Sequence, residues 1–489
     1  MPNFGLLATE FLIAGLGLGV LIADFSIPWR SRRFQNLILA LVSSVGLILI
    51  AIYSILARGS KPEFLYDQLI FIDNFSLIFK VFAMGVGAAV ILTSIDYVYR
   101  KIRSPGEFYA LIVLAVLGAD LVASSGEMLT AYISVEVLAF SLYVLVAISR
   151  GDGRSAEAAV KYILLGALSS ALMLFGVALL YGALGETTFR YMESIMFALL
   201  GHQGTDTSMT VILGLAMFFG GLGFKLSLVP FHLWAPDVYE GAPTPVTALI
   251  AVLSKAAVLG LLIRFLAEAG YKTVDEWQLP LAILAAATMT IGTLTALVQQ
   301  NIKRLFAYSS IAQVGFVLVG LISLNENGIN AVILHLYGYA FTNLAAFAVI
   351  ISMETRFGEQ KIESFNGLAT RSPFLAMVMA SALFSLAGLP IFAGFITKFL
   401  LFTAAVEADL TWLMVIAVVN SLISLYYYIR IIRHMYVEKL DREESVSLSV
   451  LASVPIWLLF VGMILIGIYP QPLMDVANSA TMVLGPFTS

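Results

Sequence analysis

Apolar runs about twenty residues long recur from Phe4 to Ile468, separated by short polar breaks. Crossing ~30 Å of hydrocarbon takes about 20 apolar residues in a helix, the element that satisfies its own backbone hydrogen bonds in lipid. The runs lie near residues 4–23, 35–56, 75–95, 107–124, 127–148, 156–184, 208–233, 243–266, 277–299, 306–323, 328–353, 372–404, 410–432 and 447–468. This pattern predicts an all-α membrane protein of about fourteen transmembrane helices. Composition agrees: 60% of the 489 residues are hydrophobic and 12% charged, against roughly 45–50% and about 25% in soluble domains. The opening Met-Pro-Asn-Phe runs straight into apolar sequence without a basic leader, so the first run is expected to be a retained helix.

Two absences narrow the chemistry. The chain has no cysteine, which excludes disulfides, thiolate metal sites and cysteine-ligated iron–sulfur clusters. Its histidines, His202, His232, His335 and His434, are scattered without metal-ligand spacing. Any redox chemistry is therefore expected on partner chains.

Positive charge alternates between loops. Loops after odd-numbered runs hold Arg30, Arg32, Arg33, Arg100, Lys101, Arg103, Arg150, Arg154, Lys303, Arg304, Arg356, Lys361, Arg371, Arg430, Arg433, Lys439 and Arg442, seventeen in all. The opposite loops hold four: Arg58, Lys61, Arg190 and Lys272. Basic loops stay on the cytoplasmic side, so both termini are expected on the periplasmic side of the cell inner membrane.

Runs seven and twelve are interrupted by Gly220-Gly221-Leu222-Gly223 with Pro230, and by Gly388-Leu389-Pro390 with Gly394. Proline removes a helix hydrogen bond and glycine weakens the helix; the freed backbone groups are tolerable only against protein or a wet cavity. The breaks lie five runs apart, which suggests two five-helix repeats, runs 4–8 and 9–13. An odd repeat length inverts the second, as in transporters with midplane sites. The expected division is 1–106, a three-helix segment; 107–268 and 269–434, the repeats; and 435–489, a last helix and tail.

Five ionisable residues fall deep in these runs: Glu136, Lys161, Lys225, Lys255 and Lys398. Each costs ~2.5–3.5 kcal/mol at a helix centre, so together they exceed ~10 kcal/mol, which leucine would avoid. Burial favours neutral lysine and an adjacent carboxylate favours the charged form. At an effective dielectric of 20, charges 4 Å apart interact by ~4 kcal/mol, roughly a thousandfold in proton affinity. Glu136 and Lys225 are therefore expected to form a switchable pair beside proton sites running through Lys255 to Lys398. Lys161 also reads as a lysine snorkelling to the surface after Glu157. His232, seven residues beyond Lys225, and His335, among Tyr337, Tyr339, Thr342 and Asn343, read as supporting proton groups or as packed histidines; Gln313 reads as wire-lining or as an interhelical hydrogen bond. Lys80, Arg264, Glu10 and Glu407 are expected to anchor span ends, and Asp120 stays open between an exit-path carboxylate and a surface residue.

The segment Pro230-Phe231-His232-Leu233-Trp234-Ala235-Pro236-Asp237-Val238-Tyr239-Glu240-Gly241-Ala242-Pro243-Thr244-Pro245-Val246-Thr247 resembles the corresponding segment of N subunits of bacterial complex I and of the chloroplast and cyanobacterial B subunit. Residues 301–311 and 388–399 match as well, and the resemblance covers nearly the whole chain. It implies a proton-translocating, antiporter-like subunit of NADH:quinone oxidoreductase, itself without redox cofactor, with proton path residues Glu136, Lys161, Lys225, Lys255 and Lys398. It also implies NADH, FMN, iron–sulfur clusters and quinone on partner subunits, membrane partners of the L, M, K, J, A and H types, and no nucleic acid. Related L subunits continue into a long lateral helix, and M subunits carry glutamate where Lys398 stands; both differences favour N. The alternatives are a multisubunit sodium/proton antiporter subunit, a hydrogenase- or F420H2-linked relative, or a non-conducting spacer, which has no need for buried lysines.

Overall fold

The computed structural model describes residues 4–57, 59, 62–66, 68–201, 206–358, 360–439 and 450–487. Arg58, Lys61, His202 and Arg442 lie outside the described residues.

Each expected run contains helix among the described residues. The helices are α1 Ala8–Ser26, α2 Arg32–Leu56, α3 Asn74–Lys101, α4 Pro105–Ser124, α5 Met128–Val146, α6 Gly153–Leu184, α7 Asp206–Leu226 and α8 Thr244–Glu268. They continue with α9 Val274–Ala296, α10 Ile302–Ser323, α11 Glu326–Phe357, the halves α12a Pro373–Ala387 and α12b Ala393–Glu407, α13 Thr411–Tyr436 and α14 Val450–Ile468. Twelve are single helices long and apolar enough to cross a membrane. The twelfth expected span is two 15-residue halves, each too short alone, and α14 is followed by Gln471–Thr481, bent from it by 80°. The chain also forms a hairpin, Glu63–Leu65 with Ile70–Ile72, between α2 and α3, and a surface helix, Phe189–Gly201, which the apolar pattern alone does not predict.

Helix starts are capped where the sequence supplies oxygens. Asp73 and Ser76 form a reciprocal capping box on α3, and the Asn301 side chain accepts from Lys303 N and Arg304 N at the start of α10.

The two halves repeat one packing pattern: α4 lies on α5 as α9 lies on α10, and α6 lies on α7 as α11 lies on both halves of α12. At the middle, α8 and α10 are buried almost all round. The outer helices turn large apolar side chains outward, among them Phe11 and Phe25 of α1, Leu164 of α6 and Leu422 and Tyr426 of α13. This apolar outside suits a hydrocarbon solvent.

The break in span seven is not at its glycines. α7 runs unbroken through Gly220–Gly223 to Leu226, and the chain leaves the helix over Ser227–Leu233. Close packing is what the glycines serve: a side chain at Gly221 would collide with Met173 of α6, and one at Gly214 with Leu180. In span twelve the break falls where expected, at a left-handed Gly388 with φ +87°.

Candidate functional site

Two breaks and one widened turn put the deep charges in place. Lys225 is the penultimate residue of α7, Lys398 lies in α12b just beyond the second break, and Lys255 follows a π-type turn at Ile250–Ser254 inside α8. Such turns expand a helix locally and are common at functional positions. All three lysines are buried, at 3–4% exposure.

Glu136 of α5 and Lys225 meet. Their charged atoms are 3.6 Å apart, Ser170 of α6 donates to the Glu136 carboxylate, and Lys225 Nζ donates to the Tyr143 hydroxyl at 3.2 Å. Glu136 is only partly buried, on the same face of α5 as exposed Ile133 and Phe140, so the pair stands at one edge of the molecule.

Lys255 has hydroxyls rather than a carboxylate. Its Nζ donates to Ser310 Oγ of α10 at 2.7 Å, and the hydroxyls of Tyr339 and Tyr239 point at the same oxygen from 2.9 and 3.4 Å. Ser310 Oγ has two lone pairs and one proton, so it can accept from Lys255 and one tyrosine while donating to the other, and exchanging those roles would pass a proton across it.

From Tyr339 the polar line continues to the second break. The Tyr339 ring stacks on His335 with centroids 6.3 Å apart, and His335 Nδ1 bonds Thr397 Oγ1 at 3.0 Å, one residue before Lys398. Lys398 donates to the Leu386 carbonyl at 2.8 Å and to Ser421 of α13 at 3.1 Å. Gln313 donates to the same Leu386 carbonyl at 3.2 Å. The carbonyls freed by the break are thus met by protein side chains, Ser421 taking that of Ala387, and a buried backbone oxygen needs such a partner. Among the described residues neither Lys255 nor Lys398 has a carboxylate within ion-pair distance, and no hydrogen bond joins the Lys225 group to the Lys255 group.

Lys161 stands apart. Its side chain is 41% exposed and pairs with Glu157 at 2.8 Å and Asp237 at 2.7 Å, the snorkelling arrangement rather than the buried one. Asp237 also receives Arg304 at 2.8 Å, and Arg304 holds Glu240 at 2.9 Å. Burial would raise the Asp237 carboxyl, but hydrogen bonds from Lys161 and Arg304 hold it below the ordinary carboxylate range. His232, on the turn after Pro230, has no hydrogen bond or ion pair to Glu136 or to the lysines among the described residues.

Three expected anchors are not at the surface. Lys80, Glu10 and Arg264 are at most 6% exposed, and Asp120 is fully buried, which excludes a surface role for it. Arg264 makes a two-armed pair with Asp73, both contacts 2.9 Å, and Lys80 lies between Glu10 and Asp120. Nearness to a span end reads as exposure in one dimension, whereas neighbouring helices cover these ends. Sequence reasoning also passed over Tyr143, Ser170, Tyr239 and Ser421, because a buried hydroxyl looks like packing until its partner across a helix interface is known.

The comparisons agree with this architecture. Residues 125–424 match the family model described as NADH:quinone oxidoreductase/Mrp antiporter, transmembrane. The chain is 37% identical over 480 residues to an NADH-quinone oxidoreductase subunit N of Desulforamulus reducens, covering 98% of each. It is 38% identical to the subunit N of Desulfitobacterium hafniense, covering 99% of each. A chain of respiratory complex I from Thermus thermophilus superposes with a TM-score of 0.79 at 30% identity, over 96% of this chain and 99% of that one.

Proposed function

The chain belongs to the family of NADH-quinone oxidoreductase N subunits, antiporter-like membrane subunits of complex I, and from that premise we infer that it translocates protons along the buried row from Glu136 to Lys398. One observation carries the reading. A lysine with a carboxylate partner, Lys225, and two lysines with only hydroxyl and carbonyl partners, Lys255 and Lys398, are buried in a single molecule at a helix end, a widened turn and a helix break. A structural lysine at membrane depth is met by a counter-charge or a backbone carbonyl, and among the described residues Lys255 has neither. A lysine that gains and loses a proton needs groups that accept from it in one state and donate to it in the other, which Ser310 and Ser421 do.

The row has an order. Glu136 biases Lys225; a proton placed on Lys255 disfavours one on Lys398 by like-charge repulsion; and Lys398, beside the exposed Phe395 and Phe399 of α12b, hands its proton out or passes the change to an adjoining membrane subunit. The Lys161–Asp237–Arg304–Glu240 cluster lies on the side of the basic loops, which the charge bias assigns to the cytoplasm, and serves as the entrance. Electron transfer, with its NADH, flavin, iron–sulfur clusters and quinone, resides on partner subunits.

The test is the number of protons moved per quinone reduced by the intact assembly in vesicles. Glu136→Gln and Lys225→Gln should each assemble yet lower coupled turnover on the order of 10²-fold, the usual weight of a proton-transfer group. Unchanged pumping in both variants would overturn the reading.

A further inference from the structure

A second ionisable cluster lies outside the row. Glu10 stands one turn into α1, Lys80 two turns into α3 and Asp120 one turn before the end of α4. All three are buried, at 6%, 5% and 0% exposure. Lys80 Nζ donates to Glu10 and lies 3.3 Å from Asp120 Oδ1. The start of α1, the start of α3 and the end of α4 share one face, opposite the loops bearing Arg30–Arg33 and Arg100–Arg103.

The charge does not balance. Two carboxylates and one ammonium leave an excess negative charge in a site without water-like surroundings, and carboxylates held together by one cation relieve this by sharing a proton. Two oxygens are available for it: Glu10 Oε2 and Asp120 Oδ2 are buried and have no hydrogen-bond partner among the described residues. Ser124 donates to the Asp120 backbone carbonyl at 2.9 Å and reaches the other carboxylate oxygen, Oδ1, at 3.5 Å. Among the described residues no other charge makes an ion pair with the cluster. Asp73 and Arg264 are locked on each other, Glu63 stands at the pocket rim, and Asp475 of the 471–481 helix is bonded to Gln471. α2 offers Tyr53 and Ser54, and α11 turns Tyr337 to the Ile78 carbonyl and His335 to Thr397.

Of the three residues, Lys80 lines a way out. A pocket between α1, α2 and the start of α3, lined by Thr9, Ser54, Asp73, Ser76 and Lys80, opens from the lysine to the surface on this face. Thr9 and Ser54 are hydrogen-bonded to each other at 3.0 Å across it.

We propose that Glu10, Lys80 and Asp120 form a second proton-holding site, separate from the Glu136–Lys398 row, which binds one proton between its two carboxylates and exchanges it with solvent on the face away from the basic loops. The bound species is a solvent proton: a carboxylate takes it up as a carboxylic acid and returns it unchanged, with no other bond made or broken. The site stands whether or not the row conducts.

Infrared difference spectroscopy of the intact assembly at neutral pH tests this. Asp120→Asn and Glu10→Gln each leave a neutral carboxylate–lysine pair, so the fold has no new buried charge to accommodate. Wild type minus either variant should show one protonated-carboxyl band and no carboxylate band, and the carboxyl band should shift within minutes of transfer to heavy water. A carboxylate band instead would mean that both acids are ionised and the cluster is a structural ion pair; a carboxyl band that resists heavy water would mean a sealed site. Either result overturns the proposal, and neither depends on proton pumping.

Discussion

Lys225 and Lys255 have the same side chain at nearly the same exposure, and their neighbours make them different devices. Lys225 has an anion 3.6 Å away and Lys255 has the Ser310 hydroxyl at 2.7 Å. An anion sets how tightly a proton is held; a hydroxyl passes it on. Ser310→Ala should therefore leave the fold intact, since serine and alanine are near in size, while slowing proton delivery beyond Lys255; the check is the pumping rate at unchanged assembly. At Lys398 the prediction separates charge from proton release. Lys398→Arg keeps the positive charge but does not let it go at accessible pH, so pumping in reconstituted assemblies should fall sharply. Lys398→Glu, which titrates, should retain more. Full pumping with arginine would show that Lys398 only supplies charge. The identity of the deep charges was legible in the sequence from their cost alone; their partners were not, because Tyr143, Ser310 and Ser421 belong to other helices.

Elements carry the site through their irregularities. Regular helices present side chains, whereas the ends of α7 and α12a present backbone carbonyls as well, and Leu386 O joins Lys398 to Gln313 for that reason. The joint between α8 and α3 is of another kind. Arg264 meets Asp73 with two contacts and packs on the rings of Phe71 and Phe75 at 4.4 and 4.8 Å. Breaking a buried pair costs about 3–5 kcal/mol, so Arg264→Gln should lower the melting temperature of the assembly without altering the residual pumping stoichiometry. Burial would raise the Asp73 carboxyl, yet the Arg264 charge and hydrogen bonds hold it below its ordinary value. A depressed carboxylate stabilises at all pH above its unfolded value of about 4, and the gain is lost as pH falls through the lower folded value. Without Arg264, burial alone acts on Asp73 and raises its carboxyl, so the gap between wild type and Arg264→Gln should be widest at high pH and narrow as pH falls, from the variant's raised value down through the lowered wild-type one; a gap that does not change with pH would contradict the pairing.

Across the whole molecule the buried polar groups lie in two sets, one at the α5 edge, where Glu136 lies beside exposed Ile133 and Phe140, and one from the covered α8 and α10 to α12b and α13, with no hydrogen bond between them among the described residues. Apolar edges at both ends suit lateral contact with further membrane subunits. Orientation is the testable property at this scale, and the lack of native cysteine makes the test clean. Lys361→Cys should react with an impermeant thiol reagent from the cytoplasmic side, and Glu63→Cys, in the hairpin, from the other; the reverse pattern would invert the assignment. The sequence by itself determined the all-helical membrane architecture and where the apolar helices fall, though not that the twelfth span is two short halves or that a further helix lies at Phe189–Gly201: a membrane span is a local property, since twenty apolar residues must satisfy their own backbone in lipid. It determined the family for a related reason, long strings such as residues 230–247 being readable without coordinates. It also singled out Glu136, Lys225, Lys255 and Lys398, because an intramembrane charge is costly wherever it lands. Only the tertiary structure decided which charges meet. It moved Lys161 to an exposed cluster with Asp237, left His232 off the row, placed the seventh-span break after its glycines, and drew Lys80, Glu10 and Asp120 into one buried site. Ion pairs between helices join residues far apart in the chain, and which faces of those helices touch is set by packing rather than by the hydropathy of either helix alone.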